Sequence, residues 1–293
     1  MKLLRVSACV FHWSMLPCNS IQSSSQTKEF LMQRREFLTA GSVGLAALTT
    51  AAALNADATA GKIFDIIEVR KYTVKNAEKR TKLVEILDKA LIPALNRLGI
   101  KPIGVFTPIA REEKYALNVF VVTPQKEHFY LIRDHLLLND AEYRKNAAPI
   151  FETTSKDPVY TDCETFLLRS FPSIPELEVP QLGPDRVFEL RFYRSFNIER
   201  NAAKIRMFDE GGELPLFREV GLMPVFFGDV IAGNRMPALM YMVGTPSLEK
   251  HAELWRTFVA HPKWAAMKDL PEYADTATEI ERVVLTPSSG SQI

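Results

Sequence analysis

Cysteine is scarce: three in 293 residues, at positions 9, 18 and 163. That excludes a disulfide-stapled scaffold. No run of about eighteen strongly apolar residues occurs, which excludes a spanning helix. Charge of one sign is missing as well. The chain holds 36 Lys and Arg against 35 Asp and Glu, a net of +1, so it carries no global basic field for nucleic acid. Gly-x-Gly-x-x-Gly and Gly-x-x-x-x-Gly-Lys-Ser loops are absent, and with them the usual phosphate cradles. No Gly-x-Ser-x-Gly nucleophile elbow is present either. What remains is an ordinary globular balance, 47% apolar and 24% charged, which argues against a disordered chain.

The first sixty residues read as an address. Met32-Gln-Arg-Arg-Glu-Phe-Leu-Thr39 places Arg34 and Arg35 before Phe37 and Leu38, and an Ala- and Gly-rich apolar stretch runs from Ala40 to Leu54. Small-x-small patterns follow at Ala56-Asp-Ala58 and Ala58-Thr-Ala60. Charged n-region, apolar h-region and small-residue cleavage site are the three parts of an export signal. The arrangement resembles a twin-arginine (Tat) signal built on Arg-Arg-x-Phe-Leu, with Gln33 and Thr39 departing from the usual neighbours. The signal is complete if it begins at Met32; residues 1–31 are then either upstream of the true start or a long n-region. Cleavage after Ala58 or Ala60 leaves about 233 residues with 31 basic and 32 acidic side chains, and Cys163 alone of the three cysteines. The expected destination is the periplasm or the exterior.

The remaining chain is one unit written twice. Leu91 to Pro102 lies over Glu213 to Pro224, an offset of 122, with prolines and glycine coinciding. Ala116 to Pro124 lies over Ala238 to Pro246 at the same offset, and Glu68-Val-Arg70-Lys-Tyr72 matches Glu189-Leu-Arg191-Phe-Tyr193 at 121. Three blocks in one order mark a duplication.

Each copy reads β-α-β-β-α-β. In the first, Ile63 to Val74 is a strand by its Ile and Val content. Leu83, Ile86, Leu87, Leu91, Leu95 and Leu98 then form one apolar helical stripe. Pro93 inside that stripe predicts a kink or restart, and Gly99 a left-handed helix end. A hairpin over Pro102 to Ile109 and Tyr115 to Val122, a helix from about Gln125 to Asn146, and a strand from Thr161 to Arg169 complete the copy. Gly211-Gly212 predicts a helix break in the second. The expected organisation is an extension and signal over 1–60, a first unit over 61–170, a Pro-rich linker over 171–185, a second unit over 186–286 and a tail over 287–293. Two such units make an α+β protein: two ferredoxin-like sheets, each with helices on one face, packed through their bare faces as an intramolecular dimeric α+β barrel.

At Phe188-Glu-Leu-Arg-Phe-Tyr193, at the Pro-x-x-x-x-x-Gly helix ends, and at Trp255-Arg-Thr-Phe258-Val-Ala-His261-Pro262-Lys-Trp264, the sequence resembles the NIPSNAP family of the dimeric α+β barrel superfamily. The resemblance spans residues 63 to 286. His261 stands where the family more often has Asp, and Leu137 to Arg144 keeps the last block only loosely. The resemblance implies the fold; it carries over no catalytic residue.

The chemistry therefore comes from the residues themselves. Glu68, Arg70 and Tyr72, and again Glu189, Arg191 and Tyr193, are spaced by two and share a strand face. If that face turns into the barrel, the six residues form a polar pocket for a small anionic or oxygenated molecule, Arg offering a planar fork of donors. The alternative is that the carboxylates and guanidiniums neutralise one another. His251 and His261 are candidate haem ligands, since some members of the superfamily bind haem and non-covalent haem needs no Cys-x-x-Cys-His motif. The opposing view makes His261-Pro262 a helix-ending turn, with Trp255 and Trp264 in the core. His128 and His135 read as a surface stripe, and no spacing suits a structural metal. Cys163 reads as an inert buried thiol. Two functions stay open: a small-molecule binding module, or a haem-dependent or cofactor-free oxidoreductase or monooxygenase. Homo-oligomerisation is compatible with either.

Overall fold

The computed structural model describes residues 65–125 and 129–293. Arg34, Arg35 and the rest of the signal-like segment lie outside them, as does His128. The first copy contributes strands β1 (Ile66–Thr73), β2 (Gly104–Pro108), β3 (Asn118–Gln125) and β4 (Asp162–Ser170). The second contributes β5 (Val187–Arg194), β6 (Met223–Ala232), β7 (Ala238–Thr245) and β8 (Glu279–Pro287). Between β1 and β2 run α1 (Ala77–Ile86), a π turn (Leu87–Leu91) and α2 (Ile92–Arg97). Between β3 and β4 lie α3 (Phe129–Asn139), α4 (Ala141–Asn146) and α5 (Ala148–Phe151). The second copy repeats the plan with α6 (Ile198–Asp209) and α7 (Glu213–Val220), then α8 (Leu248–Ala260) and α9 (Pro262–Lys268).

Local chemistry sets the same boundaries in both copies. The side chains of Asn76 and Asn197 cap the first helix of each unit, accepting the amides of Lys79 at 2.9 Å and Arg200 at 2.8 Å. Gly99 and Gly221 end the paired helices at φ of +76° and +91°, a conformation that a Cβ disfavours. The break foreseen at Pro93 is made by the π turn immediately before it, a widened turn at the point where the proline ring would crowd the carbonyl four residues back. In the second copy Gly211-Gly212 separates α6 from α7.

Strand order closes into an antiparallel barrel, β1-β3-β2-β8-β5-β7-β6-β4. Each copy is thus a ferredoxin-like sheet, β4-β1-β3-β2 or β8-β5-β7-β6. The seams are β2 against β8 and β4 against β6, and closure leaves no free edge. Lys62–Ile293 is one compact unit. The Pro-rich segment between the copies is packed onto it: Phe171 and Ile174 are buried, and Phe171 and Glu178 donate to the carbonyls of Phe227 and Val225. The tail returns along β2, where the Ser288 and Gln292 amides bond to the carbonyls of Val105 and Ile103.

Inside the barrel, Ile67, Val69, Phe106, Phe120, Phe166 and Leu168 meet Phe188, Leu190, Phe192, Met240, Val283 and Leu285 in one apolar cluster. Phe106 stands edge-on to Phe188 at 5.2 Å. The residual cavity in this interior is about 40 Å³, room for a few waters only. Lys71, Arg235, Glu281 and Arg282 surround its mouth.

Glu281 ties the copies together there. It accepts Lys114 Nζ at 2.8 Å and Tyr115 OH at 3.2 Å from the first copy, and the Arg235 guanidinium at 3.2 Å from the second. The Arg235 hydrogen bond, with help from Lys114 and against partial burial, lowers its carboxyl from the usual 4.5 to about 2. A depressed carboxyl stabilises the fold above its unfolded value, and that contribution is lost as pH falls from 4.5 through about 2. Glu281→Gln should therefore lower stability above about pH 4.5, leave the value near pH 2 little changed, and so flatten the acid limb between them. Urea midpoints measured between pH 2 and pH 5 test this; an unaltered acid limb refutes it.

Candidate functional site

The Glu-Arg-Tyr faces point away from the barrel. Ile67 and Val69 on β1, and Phe188, Leu190 and Phe192 on β5, face inward. Glu68, Arg70 and Tyr72, and Glu189, Arg191 and Tyr193, lie beneath the helices instead. The barrel-interior pocket expected from these six residues is therefore corrected to a sheet–helix location. The physical reason is burial: a closed barrel takes the uniformly apolar set inward, and the charged set needs partners that only the helix layer supplies.

Those partners differ between the copies. Glu68, 1% exposed, accepts Arg70 Nε at 2.8 Å, Thr123 Oγ1 at 3.1 Å and Gln125 Nε2 at 3.1 Å. It also forms a close ion pair with the buried Arg133 of α3. Glu189 accepts Arg191 Nε at 2.7 Å and the His251 Nε2 position of α8 at 2.5 Å. Burial alone would raise the Glu189 carboxyl, but the hydrogen bond with His251 and the charge of Arg191 outweigh it and hold the carboxyl below its ordinary value. Burial likewise works against the charge on Arg70 and Arg191, and their acidic and phenolic neighbours more than restore it.

Beyond the carboxylates the two sites diverge. Arg191 Nη1 donates to Tyr193 OH at 2.9 Å, which lies 3.2 Å from Tyr241 OH. The guanidinium sits 3.8 Å from the Trp255 ring centre, a cation–π contact. Phe208, Phe217, Phe227 and Phe258 fill the surrounding space. Arg70 has the same tether to its carboxylate but loose outer nitrogens: Nη1 is 3.5 Å from Tyr72 OH and Nη2 is 3.7 Å from Asp134 Oδ1. Above it opens a cavity of about 230 Å³ between the sheet and the helices of the first copy. Its lining joins Arg70, Tyr72, Tyr143 and Tyr160 to leucines of α1, the π turn and α3. Burial raises the Tyr72 and Tyr143 phenols, keeping both as neutral donors.

Both candidate haem ligands are engaged within the second copy. His251 offers its Nε2 to Glu189, and His261 caps α9, its Nδ1 accepting the Lys263 amide at 3.2 Å. Neither lines the 230 Å³ cavity. Trp255 and Trp264 pack with the core of the second copy. Cys163 is half-buried and unpaired, and burial pushes its thiol up, which suits an unreactive role. Among the described residues no group of three or more His, Cys, Asp or Glu is placed to hold a metal, and no helix is long and apolar enough to cross a membrane. Arg133 escaped the sequence reading because no spacing rule links a helix residue to a strand carboxylate 65 positions earlier.

Fold and site together define an α+β protein with the architecture of a dimeric α+β barrel contained in a single chain. Among solved structures, a monooxygenase-like protein of Lactobacillus acidophilus shares it at 10% identity over 76% of this chain and 94% of its own, with a TM-score of 0.51. A monooxygenase-like protein of Fusobacterium nucleatum does so at 10% identity over 76% and 92%, with a TM-score of 0.53. A NIPSNAP-like domain protein of Burkholderia xenovorans matches 36% of this chain and 89% of its own, at 17% identity and a TM-score of 0.33. No protein-family model and no curated protein matches the chain.

Proposed function

We propose that this chain is an exported, NIPSNAP-like binding protein that holds a small anionic or oxygenated molecule in the sheet–helix cavity of its first copy. The observation that carries this reading is Arg70. Its Nε is fixed by Glu68 at 2.8 Å, while its Nη atoms border a cavity of about 230 Å³ and make no contact shorter than 3.5 Å with Tyr72 or Asp134. A guanidinium anchored at one end and only loosely engaged at the other, by Tyr72 and Asp134, is poised for a carboxylate or another oxygen acceptor. The phenols of Tyr72, Tyr143 and Tyr160 supply further donors around the same space. Asp134 stands at the mouth with its side chain 69% exposed, where water screens its charge. No dense set of acid, base and nucleophile faces the cavity, which favours binding over turnover.

Calorimetric titration of a panel of small carboxylates tests the site. Arg70→Ala should weaken whatever binds by about 10- to 100-fold, the range for a hydrogen bond to a charged group. Wild-type protein that binds no member of the panel, or an alanine variant that binds as tightly, would sink the proposal.

Export through the twin-arginine route belongs to the same reading and rests on Arg34 and Arg35. Replacing both with Lys should leave the protein inside the cell and uncleaved, as fractionation and intact mass would show. Unchanged export would point to another route.

A further inference from the structure

We infer that the ligand of the first copy is a small aromatic acid whose ring lies over the Arg70 guanidinium, and that the equivalent site in the second copy is permanently closed by Trp255. The inference rests on the binding reading above and narrows its ligand class. The two copies are the same device in two states. Arg70 and Arg191 sit at matching strand positions, each held through Nε by the Glu two residues earlier, at 2.8 Å and 2.7 Å. Arg133 and His251 meet those carboxylates from equivalent helices, so Leu137 and Trp255, each one turn further on, occupy equivalent places. The pairing register adds a second exchange: Val121 stands opposite Arg70 where Tyr241 stands opposite Arg191. Two large aromatic side chains in one copy are thus two aliphatic ones in the other, and Leu137, the smaller counterpart of Trp255, lines the cavity.

The closed copy displays what this arginine accepts. An indole covers the guanidinium face at 3.8 Å, and an oxygen meets Nη1 at 2.9 Å. Among the described residues no ring lies over Arg70. A molecule bringing its own ring and its own oxygens would complete Arg70 as the protein completes Arg191. Space agrees: an apolar cavity of about 150 Å³ takes benzene, and about 230 Å³ adds room for a short acidic arm. The flanking leucines suit the ring edge. The carboxylate replaces the loose 3.7 Å contact of Arg70 with Asp134.

Indole-3-acetate is the direct probe, because its ring is the one that stands on Arg191; cyclohexylacetate keeps the charge and removes the π face. In calorimetry on the full chain, the indole acid should bind with one site per chain and about tenfold more tightly than the cyclohexyl acid. Leu137→Trp should abolish binding while the thermal midpoint is kept, since it copies the closed copy. Trp255→Leu, paired with Tyr241→Val, should open a second site. Equal affinity for the two acids would overturn the aromatic assignment and leave the Arg70 pocket standing. Undiminished binding by Leu137→Trp would overturn the placement. Failure of both acids and of the wider carboxylate panel would remove the pocket itself. If the second-copy variants do not fold, the Leu137→Trp result decides alone.

Discussion

Glu213→Ala should lower the stability of the folded chain by about 3–5 kcal/mol, the cost of stranding a buried charge. The charge is Lys204. Its Nζ lies 3.0 Å from Glu213 Oε2, with side chains 7% and 3% exposed. It is enclosed by Phe208, whose ring centre is 4.4 Å away, and by Tyr193 and Trp264. With the carboxylate gone, the ammonium keeps only the Met207 sulfur at 3.2 Å and the aromatic faces. Replacing both members with apolar side chains of similar size, Lys204→Met with Glu213→Leu, should be neutral or stabilising by about 1–4 kcal/mol, because both desolvation costs vanish together. The urea midpoint at constant slope measures each. A single-variant loss below about 1 kcal/mol would mean that water reaches Lys204 and the enclosure is open.

Phe217→Ala should cost a similar amount, about 3–5 kcal/mol, for a different reason. Phe217 is fully buried and contacts five aromatic rings: Phe208, Phe227, Tyr241, Trp255 and Phe258, the last at 4.7 Å between centres. Removing its ring forfeits its transfer energy and leaves a void in a region where large side chains meet from several elements. The void adjoins Trp255, so the indole that covers Arg191 loses its edge-on support at 5.6 Å. The stability loss should come with a red-shifted tryptophan emission in the native state. A shift without a stability change would place Phe217 outside the core and contradict the packing described.

The halves of this protein were much more legible than its site. The duplication, the order of elements, the helix ends at Gly99 and Gly221 and the breaks near Pro93 and Gly211 follow from short-range rules, and the structure shows each of them. Element ends moved by a few residues; the single helix expected over 125–146 is divided at Asp140, whose side chain accepts the Tyr143 amide at 2.9 Å. The sequence offset of 122 also slips in one strand: the register pairs Val121 and Tyr241 with the two arginines, an offset of 120. A slip of two preserves the strand face, which is why the fold was readable despite it. In the second helix the equivalent residues, Arg133 and His251, stand 118 apart. No single offset aligns this helix together with the strands, so the exchange of Leu137 for Trp255 that separates the open copy from the closed one is not found by sliding the sequence on itself at the offset of 122.

Alternation with a period of two states which side chains share a face, and that much the chain specified unaided. Which face turns inward depends on what stands opposite, and the opposite wall is another copy more than a hundred residues away. Burial decides it: apolar Ile67, Val69, Phe188, Leu190 and Phe192 can fill a dry barrel, whereas Glu68 and Glu189 can be buried only where Arg133 and His251 reach them from helices. Those charge partners, and the cavity left over Arg70 where Trp255 covers Arg191, exist only once the two sheets have closed and the helices have settled on their outer faces.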